Sequence, residues 1–297
     1  MKRVLMAATS CVVLLGAVQP ASAAERVYKP AGPWAAEYGD DYCRLARNFS
    51  DGTDTLSLAM ERIQPGAAVR TILIGNGIKM YRGSNALEYT LTPSGGERKG
   101  PFWRSETADK QQYLNLGEIF MVPLGPPPAG PVFPPYDRAK EQEFAKGVSA
   151  IQITGGVIDP VTIETGGLKA PIASLQTCAD DLLKTWGLDP ALHQTMTRTA
   201  QPSTEANKWL PTGTIGFGDF GKLGGAANQL RVMVSAEGKP TACVIHWASL
   251  EKKTNDAICK AIMDKGQFLP ATDKDGKPMA SYWMVSPFAL MPPFGGT

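Results

Sequence analysis

Histidine, serine and cysteine are the side chains that could act as a nucleophile and its base, and histidine is scarce in this chain. The sequence contains two histidines, His193 and His246. A nucleophilic dyad needs a Ser, Cys or Asp side chain that converges on the imidazole. No Gly-x-Ser-x-Gly or His-Glu-x-x-His motif supplies that context. We expect His193 on the surface of a short helix and His246 on an exposed face or edge of a strand. The sequence therefore predicts no catalytic residues and no enzyme.

Paired carboxylates are the second chemistry that the sequence could offer. The stretch TIETGG at 162–167 is close to the Asp-Thr-Gly of aspartic proteases, where two carboxylates share one proton. Here Glu164 stands in the place of the aspartate, and no second copy of the motif follows. Asp180 and Asp181 are neighbours in a helical pattern, so their side chains point in directions about 100° apart. We expect a turn near Thr165 and a solvated helix face at the two aspartates.

The first residues predict export. A positive start at Lys2 and Arg3 precedes an apolar run of about 15 residues, and Ala21-Ser22-Ala23 offers a small-x-small cleavage site. The run is shorter than the roughly 20 residues that span a bilayer, so residues 1–23 are predicted to be a cleaved signal peptide. Its loss would leave 28 of the 30 Lys and Arg residues against 28 Asp and Glu. A neutral mature chain does not favour a nucleic-acid partner.

Four cysteines remain in the predicted mature chain: Cys43, Cys178, Cys243 and Cys259. An even number in an exported protein is typical of disulfide bonds, and four cysteines allow three pairings. A metal site is a poor alternative because the sequence has no Cys-x-x-Cys and only two histidines. The elements that carry the cysteines favour Cys43 with Cys178 and Cys243 with Cys259.

Residues 24–198 predict a mainly antiparallel β domain that is closed by a long helix. Apolar residues alternate with polar ones around Leu56–Met60, Leu87–Leu91 and Leu114–Leu116, which is typical of half-buried strands. Apolar residues at helical spacing run from Leu168 to Trp186, and Gly187 is expected to end that helix. Cys178 lies within the helix and Cys43 near the first strands. The function of this domain is not indicated by any motif.

Two segments rich in Gly or Pro predict loops. PLGPPPAGPVFPP at 123–135 is expected to be a long extended surface loop, because proline cannot occupy a central strand. Residues 199–228 are rich in Gly, Pro and Thr and are predicted to be a linker or a lead-in to a second domain. Their glycines are not followed by Gly-Lys-Ser/Thr, so nucleotide binding is not predicted.

Residues 229–297 predict a small domain in the order strand, strand, helix, strand. Two alternating segments flank a turn at Glu237-Gly238-Lys239, KKTNDAICKAIMDKG has helical spacing, and Tyr282 to Val285 alternate again. One helix then covers one face of an antiparallel sheet, with Cys243 of a strand facing Cys259 of the helix. The whole chain is thus predicted to have an α+β fold with two domains.

Eight residues of this second domain form an ordered pattern: Gly238, Ser249, Asp256, Phe268, Pro270, Ala271, Gly276 and Tyr282. The pattern comprises a Gly turn between strands, a serine, an acid-bearing helix start, an aromatic-x-Pro-Ala and a second Gly turn. It resembles the TonB C-terminal domain family over about residues 205–292. Two positions depart from the family, because Ala248-Ser249-Leu250 replaces Ser-Ser-Gly and Asn255 stands where leucine is usual.

The resemblance implies a cell-envelope protein. Energy-transducing members keep an inner-membrane helix, carry a proline-rich spacer and bind an extended peptide of outer-membrane transporters by strand addition. This chain is similar in its C-terminal part, but a folded region of about 170 residues stands in place of the spacer. Its leader also has the pattern of a cleaved segment.

We therefore expect an exported, periplasmic, non-catalytic binding or adaptor protein without a small-molecule cofactor. Its expected partner is a cell-envelope protein or an outer-membrane transporter peptide, bound at the edge of the C-terminal sheet. Two alternatives remain: an energy transducer that keeps residues 4–18 as an anchor, and an enzyme with an unrecognised site in the N-terminal domain.

Overall fold

The computed structural model describes residues 24–93, 95–123 and 136–291. The fold is mixed α+β and consists mostly of strands, as the sequence predicts. The predicted signal peptide, residues 1–23, lies outside the described residues, and so does most of the proline-rich stretch and the chain after residue 291.

Eleven strands form one large sheet in the first part of the chain. In chain order they are β1 (Arg26–Pro30), β2 (Ala35–Tyr38), β3 (Cys43–Ser50), β4 (Thr55–Arg62), β5 (Ala68–Ile74), β6 (Ala86–Thr92), β7 (Glu97–Pro101), β8 (Trp103–Glu106), β9 (Gln112–Phe120), β10 (Ala150–Gly155) and β11 (Val161–Ile163). Their order in the sheet is β7-β6-β10-β11-β1-β3-β4-β5-β9-β8, with β2 beside β3. The two end strands, β7 and β8, follow each other in the chain, so the sheet nearly closes on itself. Among these strands only β1 and β11 pair in parallel.

Three helices accompany this sheet: α1 (Arg138–Gly147), α2 (Lys169–Thr185) and α3 (Pro190–Gln194). The apolar stripe of α2 is buried, as its helical spacing predicts, and includes Ile172, Leu175 and Leu182. These side chains join one core cluster with strand residues such as Leu58 and Leu91. Gly187 ends the helix region with a φ of +76°, a left-handed conformation that glycine adopts easily.

A second core lies at the carboxyl end of the chain. Its elements are β12 (Gln201–Pro202), β13 (Gln229–Val234), β14 (Pro240–His246), α4 (Lys252–Lys265), β15 (Phe268–Leu269), β16 (Ala271–Thr272), β17 (Pro278–Met279) and β18 (Ser281–Val285). Three of the strands form an antiparallel sheet in the order β14-β13-β18. The buried stripe of α4, which includes Ile258 and Ile262, packs on one face of that sheet.

Residues 199–228 belong to this second core. Ala200, Trp209, Ile215 and Leu223 are buried within it. Trp209 contacts two aromatic rings of the core, with ring centroids 5.4 Å from Phe268 and 5.8 Å from Trp283. The segment predicted to be a linker or lead-in is therefore packed and does not form a free linker.

Two disulfide bonds tie helices to strands, which confirms the prediction of disulfides. Cys43 of β3 bonds to Cys178 of α2, with 5.8 Å between their Cα atoms. Cys243 of β14 bonds to Cys259 of α4, with 5.5 Å between their Cα atoms. Each bond joins a helix to the sheet beneath it, so each stabilises one of the two cores.

Candidate functional site

A cavity of about 620 Å³ lies between the two cores. Residues of α2 and α3 line one side of it, and residues 199–202 together with β18 line the other. Its walls combine apolar side chains with a small number of polar and charged groups. This size and composition are typical of sites that bind small molecules or short chain segments.

The wall of the second core presents a free strand edge. β18 pairs with β13 on one side, and in the described part of the chain no strand pairs with its other side. Ser281, Tyr282, Trp283 and Met284 of this strand all line the cavity. About half of the backbone N–H and C=O groups of an edge strand point away from its neighbour and are open to another extended chain.

The opposite wall contains a buried ionic network around Glu141. The side chains of Arg62 and Glu141 are 1% and 0% exposed and form an ion pair. Glu141 also accepts hydrogen bonds from the Tyr136 hydroxyl and, at 2.8 Å, from Gln176 Nε2. Burial raises the pKa of Tyr136 above its usual value, so its hydroxyl remains a donor. Separating a buried ion pair is strongly destabilising, because it leaves an unpaired buried charge. The network therefore holds these side chains in fixed positions.

Arg138 and Asp180 form a second ion pair on this wall. Arg138 Nη1 lies 2.9 Å from Oδ1 and 2.7 Å from Oδ2 of Asp180. The sequence predicted a solvated face for both aspartates. That expectation is wrong for Asp180, which lines the cavity, whereas Asp181 bonds to Lys184 at the surface. The two carboxylates do not converge, as their adjacent positions on the helix require.

His193 also lines the cavity; it is half-buried on the short surface helix α3, none of whose residues is fully buried. Its Nδ1 lies 3.0 Å from the backbone oxygen of Asp189, and its Nε2 lies 3.1 Å from Ser281 Oγ. A carbonyl oxygen can only accept, so we assign the proton of the neutral ring to Nδ1, and Nε2 then accepts from the Ser281 hydroxyl. Burial lowers the pKa of His193, which keeps the ring neutral at pH 7.

The two cores are joined beside the cavity by a contact around Arg231. This side chain is 6% exposed, and its Nη1 lies 3.1 Å from Asp41 Oδ1. Its guanidinium also lies 4.0 Å from the ring centroid of Trp186. Trp186 in turn packs edge-on against Tyr282, with centroids 5.2 Å apart. The face of the sheet that α4 leaves uncovered is therefore covered by the first core.

His246 lies on this covered face and not on an open one. The alternation of β14 does place it opposite Cys243, but it is only 4% exposed. Burial, together with the nearby charge of Arg231, lowers the pKa of His246 to about 4. β14 is an edge strand of its sheet, but the exposure predicted for His246 is wrong because the face assumed to be solvated packs against another part of the chain.

The eight residues that carry the family resemblance do not gather at one place. Gly238 forms the turn between β13 and β14 with a φ of +77°, and a Cβ there would lie 2.2 Å from the backbone oxygen of Phe268. Asp256 bonds to Lys252 on the exposed face of α4. Most of the others hold the fold: Phe268 and Ala271 are buried, Pro270 accepts from Arg198 through its backbone oxygen, and Gly276 lies in a turn. Only Tyr282 lines the cavity.

The remaining chemical candidates form no site. Glu164 is exposed, and the Thr165 hydroxyl donates to the Gly166 backbone oxygen in the irregular segment between β11 and α2, where the expected turn is not formed. A prediction that the chain has no Ser-x-x-Lys motif is wrong, because Ser249 and Lys252 have that spacing. Lys252 Nζ bonds to the Asp256 carboxylate, however, and not to Ser249. Within the described ranges no group of three or more His, Cys, Asp or Glu residues is placed to hold a metal ion.

Comparisons with protein-family models, with curated proteins and with solved structures find no match to this chain. Its two disulfide bonds indicate an oxidising compartment outside the cytoplasm. In the part of the chain that the structure describes, none of the helices is long and apolar enough to cross a membrane.

Proposed function

We propose that this protein is a non-catalytic binding or adaptor protein of the periplasm. It engages an extended segment of a cell-envelope protein, such as an outer-membrane transporter, as an added strand. The observation that carries the proposal is the free edge of β18, four residues of which line the cavity between the two cores. The resemblance of the C-terminal residues to the TonB C-terminal domain family supports the same mode of binding.

An extended peptide suits this cavity because β18 offers it an unpaired strand edge. Backbone amides and carbonyls of β18 supply affinity without regard to sequence, and the side chains around them select the residues of the partner. Tyr282 and Met284 project to one face of β18, and Trp283 projects to the other. A bound strand therefore meets an aromatic or thioether side chain on each face.

The test is selection from a pool of synthetic heptapeptides with randomised sequence, with recovered peptides quantified by mass spectrometry. Gln194→Trp is the blocking variant, because Gln194 is exposed and lines the cavity, so an indole there fills its mouth. Gln111→Trp is the control, since Gln111 is exposed in the loop between β8 and β9 and does not line the cavity. We expect recovery by the wild type and the control to exceed that by Gln194→Trp at least tenfold. Equal recovery by all three proteins would contradict the proposal.

One contact favours a second candidate function, an acyl-transferring enzyme. The Nε2 atom of His193 is placed to accept the hydroxyl proton of Ser281, which is how a general base activates a nucleophile. Ser281 is, however, only 2% exposed. A fluorophosphonate probe decides between the two: labelling of Ser281 that is lost in His193→Gln favours the enzyme, and the absence of labelling removes it.

The energy-transducer alternative depends on residues 4–18, which lie outside the described residues. The intact mass of the protein purified from its host tests it directly. A mass that begins at Ala24 contradicts an anchor, and a mass that includes residues 1–23 supports one.

A further inference from the structure

Arg62 is a fully buried cation on the wall of the cavity, and it has an unused donor. The residue is the last of β4, is 2% exposed, and donates from Nη2 to Glu141. Its Nε has a long contact of 3.4 Å with the backbone oxygen of Ala68. Among the described residues, Nη1 finds no hydrogen-bond partner. Buried polar groups without partners are rare in proteins and call for a physical explanation.

Neither neighbouring carboxylate accepts a hydrogen bond from Nη1, because both are engaged by other donors. Glu141 already accepts from Arg62 Nη2, from the Tyr136 hydroxyl and from Gln176 Nε2. Asp180 is engaged through both oxygens by Arg138. The ionised groups that line the cavity are thus two guanidinium groups and one carboxylate, with Glu141 behind them. With Glu141 counted, two guanidinium groups face two carboxylates, so the wall lacks no charge and lacks only a hydrogen-bond acceptor for Nη1.

We infer that Arg62 anchors a carboxylate of the bound peptide. This inference rests on the proposed function, since it names the chemical group that orients the peptide along β18. Guanidinium and carboxylate form the strongest hydrogen bonds among ordinary side chains, and burial strengthens them further. The carboxylate is either the C-terminus of the peptide or an Asp or Glu side chain, and both present the same two oxygens.

Four heptapeptide pools separate these sources. Two pools contain Asp and Glu, with free or amidated C-termini, and two lack both residues, again with free or amidated C-termini. If the anchor is the C-terminus, the free-acid pools bind at least about tenfold more tightly than the amidated ones. If the anchor is a side chain, the advantage follows the presence of Asp and Glu instead.

Arg62→Lys is the matched variant, because lysine keeps a positive charge beside Glu141 but removes Nη1. Arg104→Lys is the control on the exposed surface of β8. The carboxylate advantage, taken within each protein as the ratio of binding between the acidic pools and the amidated pool without Asp and Glu, is expected to disappear in Arg62→Lys and to persist in Arg104→Lys. Should circular dichroism show that Arg62→Lys does not fold, Arg138→Lys replaces it, because Arg138 is the other guanidinium group that lines the cavity. A carboxylate advantage that persists in Arg138→Lys supports Arg62 as the anchor, and one that is lost there overturns it.

Two failures are distinguishable. Equal binding of all four pools to the wild type would overturn the carboxylate anchor and leave the proposed peptide binding intact. In that case a water molecule accepts the hydrogen bond from Nη1, in the small cavity of about 20 Å³ that Arg62 also lines. Binding of none of the pools would overturn the proposed function and the anchor together.

Discussion

His246 shows how a single side chain reports on the contact between the two cores. Its ring is neutral in the folded protein because burial, with Arg231 beside it, lowers its pKa to about 4. The same ring in the unfolded chain titrates near its ordinary pKa of about 6.5. The unfolded state therefore binds more protons than the folded state between these two values, and acid destabilises the fold through this residue.

Stability should therefore fall as the pH drops from about 6.5 toward 4, and His246→Asn should weaken that dependence. Between pH 7.5 and 5.0 we expect the loss in free energy of unfolding to be about 2 kcal/mol smaller in the variant. Urea unfolding at the two pH values measures it. Identical losses in the wild type and the variant would contradict a neutral buried His246.

Alternation along β14 predicted which residues share a face, and the structure agrees with that part. It could not predict what covers the second face. Arg231 and Asp41, which meet there, are 190 residues apart in the chain. Local periodicity carries no information on contacts of that range, so the burial of His246 could not be predicted.

At the scale of elements, the two disulfide bonds contribute different amounts to the free energy of unfolding. The bond between Cys243 and Cys259 spans 16 residues, and the bond between Cys43 and Cys178 spans 135. Cross-links that close longer loops remove more entropy from the unfolded chain. Each bond also ties a helix to the sheet that it covers.

Replacing Cys243 and Cys259 by Ala should lower the free energy of unfolding by about 3 kcal/mol, and replacing Cys43 and Cys178 by about 5 kcal/mol. Urea unfolding of the two double variants under oxidising conditions gives both values. A larger loss from the shorter loop would show that native packing, and not the entropy of the unfolded chain, dominates.

Residues 199–228 offer a second test at this scale, because composition alone predicted a linker or lead-in. Trp209 is 3% exposed, packs on Phe268 and Trp283, and donates from Nε1 to Thr204. Trp209→Ala should therefore cost about 3–5 kcal/mol of stability.

Phe217 of the same segment is 87% exposed and is the matched control. Phe217→Ala should change the free energy of unfolding by less than about 0.5 kcal/mol. Equal, small effects of the two substitutions in a thermal or urea unfolding series would contradict a packed segment.

Element types were predictable where the pattern was long and regular, as in α2, α4 and the strands β4, β6 and β18. The order of strands was not. β5 pairs with β9 and β6 pairs with β10, which brings together segments that are separated by other strands. Such pairings depend on burial of whole faces and leave no short-range signal.

At the scale of the whole molecule, the cavity exists only because two cores meet. The first core supplies Arg62, Arg138 and His193, and the second supplies β18. Each set lies in a different predicted domain, so neither the site nor its charged wall could be inferred from one segment. The sequence predicted a free strand edge, and the packing of the cores determines which edge lies in a cavity.

Amide hydrogen exchange with a selected heptapeptide tests the central claim most directly. The two outer strands of the C-terminal sheet, β14 and β18, each lack a partner on one side among the described residues. We predict that the peptide slows exchange in residues 281–285 and leaves residues 240–246 unchanged. Slowed exchange in 240–246 alone, or in neither strand, would contradict the account.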